Sequence, residues 1–408
     1  MKYIIGFDDH DSPAGGCTTH FSFLISKQFE REGIRVIGYP RLTRLNPNIP
    51  WKTRGNASIS IVIESDREKS DILDMVWNAS IEYVKEVSRG FAFKRSPGVA
   101  IAERSNEILE NFYWKAVTDV VTNDYAAKVS ERLGILARGG RGIIGAIASI
   151  GFKGGRVYEL LTYRKREYWE KRRTINPNQL IKYDETFFPM VYANFDYVDM
   201  EPLIMSHGKD PVLYGLRGID PSILIQGMKM IQANEDMEGY LIFNTNQGSD
   251  DHFRISKARP YNSFIGEAKV DSVKVVQGGD CIIFAQNNVI VVYKETGELN
   301  QAARELLPGD IIRVYGAVKP SSGYGVIIEP EKMEVLELKN KIKQINPRCP
   351  KCGASSESLG RDKGFRCRSC RYRFAQNKII VEESRSISLG TYQTRKYRHL
   401  TKPVFMTE

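Results

Sequence analysis

KYIIGFDDHDSPAGGCTTH, residues 2–20, decides how the N-terminal part of the chain is read. The apolar run 2–7 predicts a short buried strand, and an apolar-periodic helix follows from about Thr18 to Glu32. The loop between them places three carboxylates, Asp8, Asp9 and Asp11, where a strand hands over to a helix. Carboxylates this close repel one another unless a cation or an array of donors lies between them, which suits Mg²⁺ with a nucleotide phosphate. The alternative is an acidic turn in which Ser12, Thr18 or Thr19 caps the helix. Gly15 and Gly16 permit close backbone approach to a phosphate at the helix start, where Thr18 and Thr19 would offer hydroxyls.

Moving outward, strand-like runs at 35–42 and 57–64 precede an amphipathic helix from about Glu68 to Arg89. A helical stretch near 105–133 then leads through a possible strand into a glycine-rich loop that opens another short helix. Residues 1–165 therefore read as one α+β or α/β unit. The loop contains GRGIIG at 140–145, a literal GxGxxG, but no βαβ unit surrounds it, which disfavours a dinucleotide site. A phosphate-cradling loop built on Gly139, Gly140, Arg141 and Gly142 fits better, with tight helix packing as the structural alternative. FKRSPG at 93–98 adds Lys94 and Arg95 before a turn. No GxxxxGK[ST] occurs, which excludes a standard P-loop nucleotide hydrolase.

The run RKREYWEKRR at 164–173 holds six basic and two acidic residues, a composition shift that marks a solvated crossing or a boundary. A second, loop-rich unit at 166–258 follows, with strands that the pattern does not resolve. Between 259 and 337, five short strands and one helix, with a Pro308–Gly309–Asp310 turn, fit an OB-like barrel. CPKC at 349–352 and CRSC at 367–370 are separated by 14 residues, so Cys349, Cys352, Cys367 and Cys370 can close a tetrahedral zinc site in a ribbon spanning 343–378. Four thiolate ligands leave no open coordination position, so this zinc is structural. From Arg348 to Phe374 the ribbon carries eight Lys or Arg and two acids, with Phe365, Tyr372 and Phe374 among them. The tail, 379–408, adds five basic residues from Arg385 to Lys402, with Tyr392 and Tyr397 between them. Cations that neutralise phosphates beside aromatics that stack on unpaired bases predict a single-stranded or loop nucleic acid as ligand.

Composition agrees. The 408 residues suffice for two to four domains, and 42% hydrophobic with 26% charged residues is the range of packed globular proteins. A net charge of +10 favours a polyanionic partner. The apolar run 143–152 is short of the ~20 residues that span a bilayer, and Asp8 and Asp9 interrupt any leader-like N-terminus, so the chain is expected to be cytoplasmic. The five histidines form no HExxH and no nucleophile triad spacing.

Over essentially its whole length the chain resembles the archaeal isoleucine-tRNA 2-agmatinylcytidine synthetase family. The likeness rests on FDDHDSPAGGCTTH at 7–20, PRLTRLNPNIPWKTRGN at 40–56, HGKDPVLYGLRG at 207–218 and TNQGSDDH at 245–252, in that order, followed by the barrel and ribbon regions. The resemblance implies a multidomain α+β protein: a kinase-like α/β unit (1–165), a ferredoxin-like α+β domain (166–258), an OB-fold β-barrel (259–337) and a zinc ribbon (343–378). It implies an ATP-dependent ligase that joins agmatine to C2 of the wobble cytidine of the isoleucine tRNA with a CAU anticodon, through phosphorylation of the base. Asp8, Asp9 and Asp11 would hold Mg²⁺ and ATP, and Thr18 would be the threonine that becomes phosphorylated. Ser12, Thr19, Lys94 and the loop Gly139, Gly140, Arg141 and Gly142 would contact phosphates. The dication agmatine needs carboxylates or aromatic faces, for which Asp196, Asp199 and Asp210 are candidates. No protein partner is expected. Without the resemblance, the residues alone favour a non-catalytic tRNA or single-strand binding protein that uses the barrel and ribbon.

Overall fold

A computed structural model describes residues 1–52, 55–255, 257–394 and 398–406. Thr53 and Arg54 of the 40–56 motif, and Arg395, Lys396 and Tyr397 of the basic tail, lie outside the described residues. The chain divides into two compact units. The larger comprises 1–265, 316–322 and 397–408, and the smaller 266–315 and 323–396.

The larger unit is built on a nine-stranded sheet. Its strands are β1 (Lys2–Asp8), β2 (Arg35–Val36), β3 (Arg41–Arg44), β4 (Ala57–Glu64), β5 (Gly98–Ala102), β6 (Leu136–Gly139) and β7 (Val157–Arg164). After the small β8 (Phe195–Asp196) and β9 (Glu201–Pro202) hairpin, β10 (Val212–Gly218) and β11 (Met237–Thr245) complete it. The order is β10-β7-β11-β3-β4-β1-β5-β6, with β2 added on β4. Every pairing along it is antiparallel except β11 with β3, where Asn244 and Thr245 run parallel to Arg41 and Leu42. The sheet runs without a break across 165/166.

Period-two alternation decides what each face of β1 meets. Tyr3, Ile5 and Phe7 join a core with Phe21, Ile25 and Phe29 of α1 (Thr18–Arg31) and Ile72, Leu73 and Val76 of α2 (Lys69–Glu82). Each of these side chains contributes roughly 1.5–3 kcal/mol on burial. Ile4 faces the other way, into a core with α3 (Glu107–Thr118), α4 (Asn123–Leu133) and α5 (Ile143–Gly151). The stretch expected as one helix near 105–133 is thus two, separated at 119–122, where Thr122 caps α4. The helix expected over 68–89 ends as α2 at Glu82 and continues as a π-turn over Tyr83–Val87. Across β7, β10 and β11, Leu160, Leu216 and Ile242 pack with Leu180 and Tyr183 of α6 (Pro177–Phe187) and Leu224 of α7 (Pro221–Met230).

The smaller unit holds the five-stranded barrel. Its strands β12 (Ser263–Val275), β13 (Cys281–Ala285), β14 (Asn288–Val292), β15 (Ile311–Ser321) and β16 (Gly325–Glu337) follow the order β14-β13-β12-β15-β16. A parallel bridge from Ile290 to Ile328 closes it, and α8 (Glu298–Arg304) packs beside it. Two strands expected to be loose tail belong to sheets. β17 (Lys341–Ile345) pairs β21 (Ile379–Glu383), and β22 (Gly390–Gln393) is a sixth strand on β16. The ribbon itself is β18 (Ser356–Ser358), β19 (Phe365–Cys367) and β20 (Arg373–Phe374). Arg385 is not a free cation for nucleic acid. It donates to both Asp310 carboxylate oxygens at 2.8 Å, where Leu307 and Lys339 amides also donate. Burial acts against the Asp310 charge, yet these donors hold its carboxyl below the usual range.

Gly6 carries the closest helix-on-sheet contact. A Cβ there would lie 1.9 Å from the Ala146 carbonyl oxygen and 2.8 Å from Ser149 Oγ. Gly6→Ala should therefore push α5 off β1 and cost about 1–3 kcal/mol, read by denaturant unfolding; an unchanged midpoint would mean that α5 does not lie on β1 there.

Candidate active site and nucleic-acid cavity

Alternation places Asp8 on the same face of β1 as Gly6, beneath the first turn of α5. Gly145 makes room for it, since a Cβ at 145 would lie 1.9 Å from Asp8 Oδ2. Gly142 and Gly98 are equally tight: added Cβ atoms would lie 2.5 Å from the Gly98 nitrogen and 2.1 Å from the Ile143 nitrogen. Burial, then the charge of Asp9, raise the Asp8 carboxyl well above its ordinary range; Asp11 adds to this and Arg141 opposes it. Asp9 adopts a left-handed backbone (φ 68°), which turns its carboxylate onto the Ser96 amide at 2.7 Å.

The glycine loop spends its own amides. Gly140 donates to Pro97 O, Gly142 to Ser96 O, Arg141 to Ser96 Oγ, and Ile143 to Gly140 O. These glycines serve close packing, and the loop's group that acts on Asp8 is the Arg141 guanidinium. Lys94, also left-handed at φ 57°, ends the 3-10 turn Gly90–Phe93 two residues before Ser96.

Helix α1 starts at Thr18, with Cys17 as N-cap accepting from the His20 amide. Tyr83 Oη grips both sides of that cap: the Cys17 amide donates to it at 3.0 Å, and it donates to Cys17 O at 3.3 Å. His20 links Tyr83 Oη (2.9 Å) to Glu238 of β11 (3.3 Å). Thr18 Oγ1 accepts from the His10 amide at 3.4 Å, Thr19 Oγ1 lies 3.1 Å from Cys17 Sγ, and Ser12 Oγ donates to Ser88 O. His10 is stacked on Phe21 with centroids 4.2 Å apart, and its Nε2 meets Ser80 Oγ at 2.7 Å.

A cavity of about 970 Å³ opens beside this loop within the larger unit. Asp11, Thr18 and Thr19 lie on its wall, as does Asp210, whereas Asp8, Asp9, Ser12, Lys94 and the 139–142 loop do not. Asp196 and Asp199 stand apart in the β8–β9 hairpin, where Asp196 Oδ1 accepts from the Val198 and Asp199 amides. Asp210 Oδ1 accepts from Val212 N at 3.0 Å.

Much of the cavity wall carries no role in the sequence reading. Glu159 of β7 is buried between Arg217 Nε (2.9 Å), Arg44 (3.5 Å) and Gln247, with His399 Nδ1 3.1 Å from Gln247 Oε1. Burial works against the Glu159 charge, but Arg217 and Arg44 hold its carboxyl below the ordinary value. Arg44, Arg217 and Gln247 lie inside three of the four motifs that carry the family likeness, which is the only signal that pointed to them.

In the ribbon, Cys349 to Cys370, Cys352 to Cys367 and Cys352 to Cys370 have Sγ atoms 3.7, 3.4 and 3.5 Å apart, and all four ligand atoms fall within 4.8 Å. A tetrahedron with metal–sulfur bonds of about 2.3 Å has edges of about 3.8 Å, so the donors fit zinc. Among the described residues, no other group of three or more His, Cys, Asp or Glu is so placed. No described helix is long and apolar enough to cross a membrane.

Buried carboxylates thus lie against a glycine-packed helix, beside a cavity lined by six Lys or Arg. The TiaS TCKD domain family matches residues 4–138, the TiaS FLD domain family 140–252 and the TiaS C-terminal zinc ribbon domain family 346–387. An isoleucine-tRNA 2-agmatinylcytidine synthetase, TiaS of Saccharolobus islandicus, is 46% identical, covering 100% of this chain and 94% of its own. The solved complex of a TiaS with its isoleucine tRNA and ATP superposes with a TM-score of 0.88 at 30% identity, over 99% of this chain and 97% of that one. A TiaS complex with the same tRNA, AMPCPP and agmatine gives 0.84 at 28%, with the same coverage. The chain belongs to the isoleucine-tRNA 2-agmatinylcytidine synthetase family.

Burial lowers the His10 pKa from 6.5 to about 3. The unfolded chain takes up this proton first, so His10 has no effect above about pH 6.5 and stability is lost as the pH falls from there toward 3. His10→Gln should flatten the pH dependence of unfolding across that window; an unchanged slope would contradict the buried neutral ring.

Proposed function

We infer that this chain catalyses the ATP-dependent attachment of agmatine to C2 of the wobble cytidine of the isoleucine tRNA with a CAU anticodon. The observation that carries the reading is the full-length likeness to proteins of that name, including one solved with its isoleucine tRNA, AMPCPP and agmatine together. Cytosine O2 is a poor leaving group. Phosphorylating it lets the agmatine primary amine form the new C2–N bond while phosphate departs with the former O2. The four-cysteine ribbon holds structural zinc. A purely binding role for the barrel and ribbon leaves the packing around Asp8 without a purpose.

In this assignment the larger unit's kinase-like part, within 1–165, carries phosphoryl transfer. A ferredoxin-like part within 166–258, an OB-fold at 259–337, the ribbon at 343–378 and the tail at 379–408 complete the chain. Asp8 and Asp9 face Mg²⁺ and the ATP phosphates, with Arg141, Lys94, Ser12 and the 139–142 loop around them. Asp8 and Asp9 would hold magnesium there, and it would supply charge neutralisation for the ATP phosphates, for which one or two protein carboxylates suffice. Asp11 and Thr18 lie between this site and the cavity, with Thr18 the phosphorylated threonine and Thr19 beside it. Of the three acids offered for agmatine, Asp210 is the one on the cavity wall, while Asp196 is committed to its own turn. A tRNA-modifying enzyme works where its tRNA is used, and the cytoplasm is the compartment this reading assigns.

Labelled agmatine, ATP and the isoleucine CAU tRNA transcript test this. Label should enter the tRNA only with ATP, be absent from a transcript carrying uridine at the wobble position, and fall on the order of 100-fold or more in Asp9→Ala and Thr18→Ala. No incorporation by the wild-type protein would sink the assignment.

A further inference from the structure

The cavity wall is basic, and the reaction as assigned gives several of its cations no role. Six Lys or Arg line the cavity against three carboxylates, so its wall is cationic on balance. Glu159 answers Arg44 and Arg217, and Lys209 pairs with Glu170 at 2.5 Å. The other three cations on the wall are Lys52, Lys319 and Arg398. Burial first, then the positive charges of Arg398 and Lys319, lower the Lys52 pKa, so both of those cations act on Lys52.

Holding like charges together costs energy, and this arrangement is built to hold them. Asn48, buried, accepts from Arg398 through Oδ1 and donates to Ser263 Oγ at 2.9 Å. Its amide donates to Asn46 Oδ1 at 2.9 Å, and Asn46 Nδ2 reaches Tyr261 O at 2.9 Å and Asp119 O at 3.1 Å. Asn46 and Asn48 of the 40–56 motif thus support Arg398 in this cluster. Trp51, next to Lys52, is 48% exposed and stands 6.2 Å from the Tyr261 ring.

We propose that Lys52, Lys319 and Arg398, the last of them held by Asn48, form a phosphate subsite that grips the RNA backbone beside the nucleotide being modified, with Trp51 offering a face to a neighbouring base. The proposal rests on the functional reading above and deepens it. A base turned out of its strand brings its flanking phosphates to the rim of the pocket it enters, where fixed cations hold them better than mobile ones. The triphosphate of ATP is the other source of such an anion. The RNA backbone is favoured because the ATP side of the loop, with Asp8 and Arg141, lies off the cavity wall while these cations lie on it. An unpaired base beside a backbone contact also needs a stacking surface, which Trp51 supplies.

The test uses the full-length protein and isoleucine CAU tRNA, with Lys52→Ala, Lys319→Ala and Arg398→Gln. Thermal melting checks that each variant folds, and Lys319→Ala keeps the test open if removing the Asn48 partner unfolds Arg398→Gln. Each folded variant should bind tRNA about tenfold more weakly, and its log K against log salt should be shallower by about 0.7 for each phosphate no longer neutralised. Replacing one phosphate flanking the wobble cytidine by a neutral methylphosphonate should weaken wild-type binding and cost the variants nothing further. Variants that keep tRNA affinity and salt slope overturn the subsite, and a rise in KM for ATP in the same variants would assign the cations to the triphosphate instead. A wild-type protein that shows the phosphate dependence without agmatine incorporation would overturn the reaction and leave the subsite standing.

Discussion

Helix α5 lies on strand β1 so closely that neither Gly6 nor Gly145 has room for a Cβ, and the acidic end of the site depends on that contact. Because side chains alternate along β1, the face that holds Gly6 also holds Asp8, which comes to rest under the α5 N-terminus. An N-terminal helix dipole favours a carboxylate, but burial and the neighbouring Asp9 charge outweigh it and push the Asp8 carboxyl up. A carboxylate in that condition gains from a cation. The left-handed Asp9 and the Ser96 turn complete an enclosure whose backbone donors are already committed to one another.

The cavity beside it mixes acidic and basic groups. Asp11, Asp210 and the Thr18 and Thr19 hydroxyls line it together with six Lys or Arg, of which Arg44 and Arg217 share the one carboxylate of Glu159. A dication suits the carboxylates and a polyanion the cations, which is the pairing that agmatine and RNA require. Tyr83, His20 and Glu238 tie the Cys17 cap, and with it the start of Thr18, to strand β11. One sheet therefore carries both the Asp8 loop and part of the cavity wall, and the β3–β11 pairing joins them.

What the sequence disclosed follows from the range of each interaction. Strand β1, helix α1, the barrel strands and the four cysteines carry local signals, namely alternation, turn residues and ligand spacing, and the structure has them where expected. The parallel pairing of Thr245 with Leu42 joins segments far apart in the chain, and no local pattern announces it. The glycine loop 139–142 reads as a phosphate cradle because glycines permit close approach, and within the chain Asp8, Ser96 and Pro97 make that close approach. Arg385 and Arg398 looked alike as tail cations, yet one is locked on Asp310 and the other reaches Asn48. Charge in a sequence says nothing of the carboxylate or amide it will meet. The motif 40–56 was visible as a likeness, and its support of Arg398 appears only with the Asn46 and Asn48 bonds in place.

The central claim is the polarity of this site: nucleotide phosphates at the Asp8 end, RNA phosphates at the Lys52 end. A crystal structure of the protein with Mg²⁺ and a non-hydrolysable ATP analogue tests it most directly. The account predicts magnesium on Asp8 or Asp9 and the triphosphate beside Arg141, with Lys52, Lys319 and Arg398 untouched by nucleotide. A triphosphate bound by Lys52, Lys319 and Arg398, with no cation near Asp8, would contradict it.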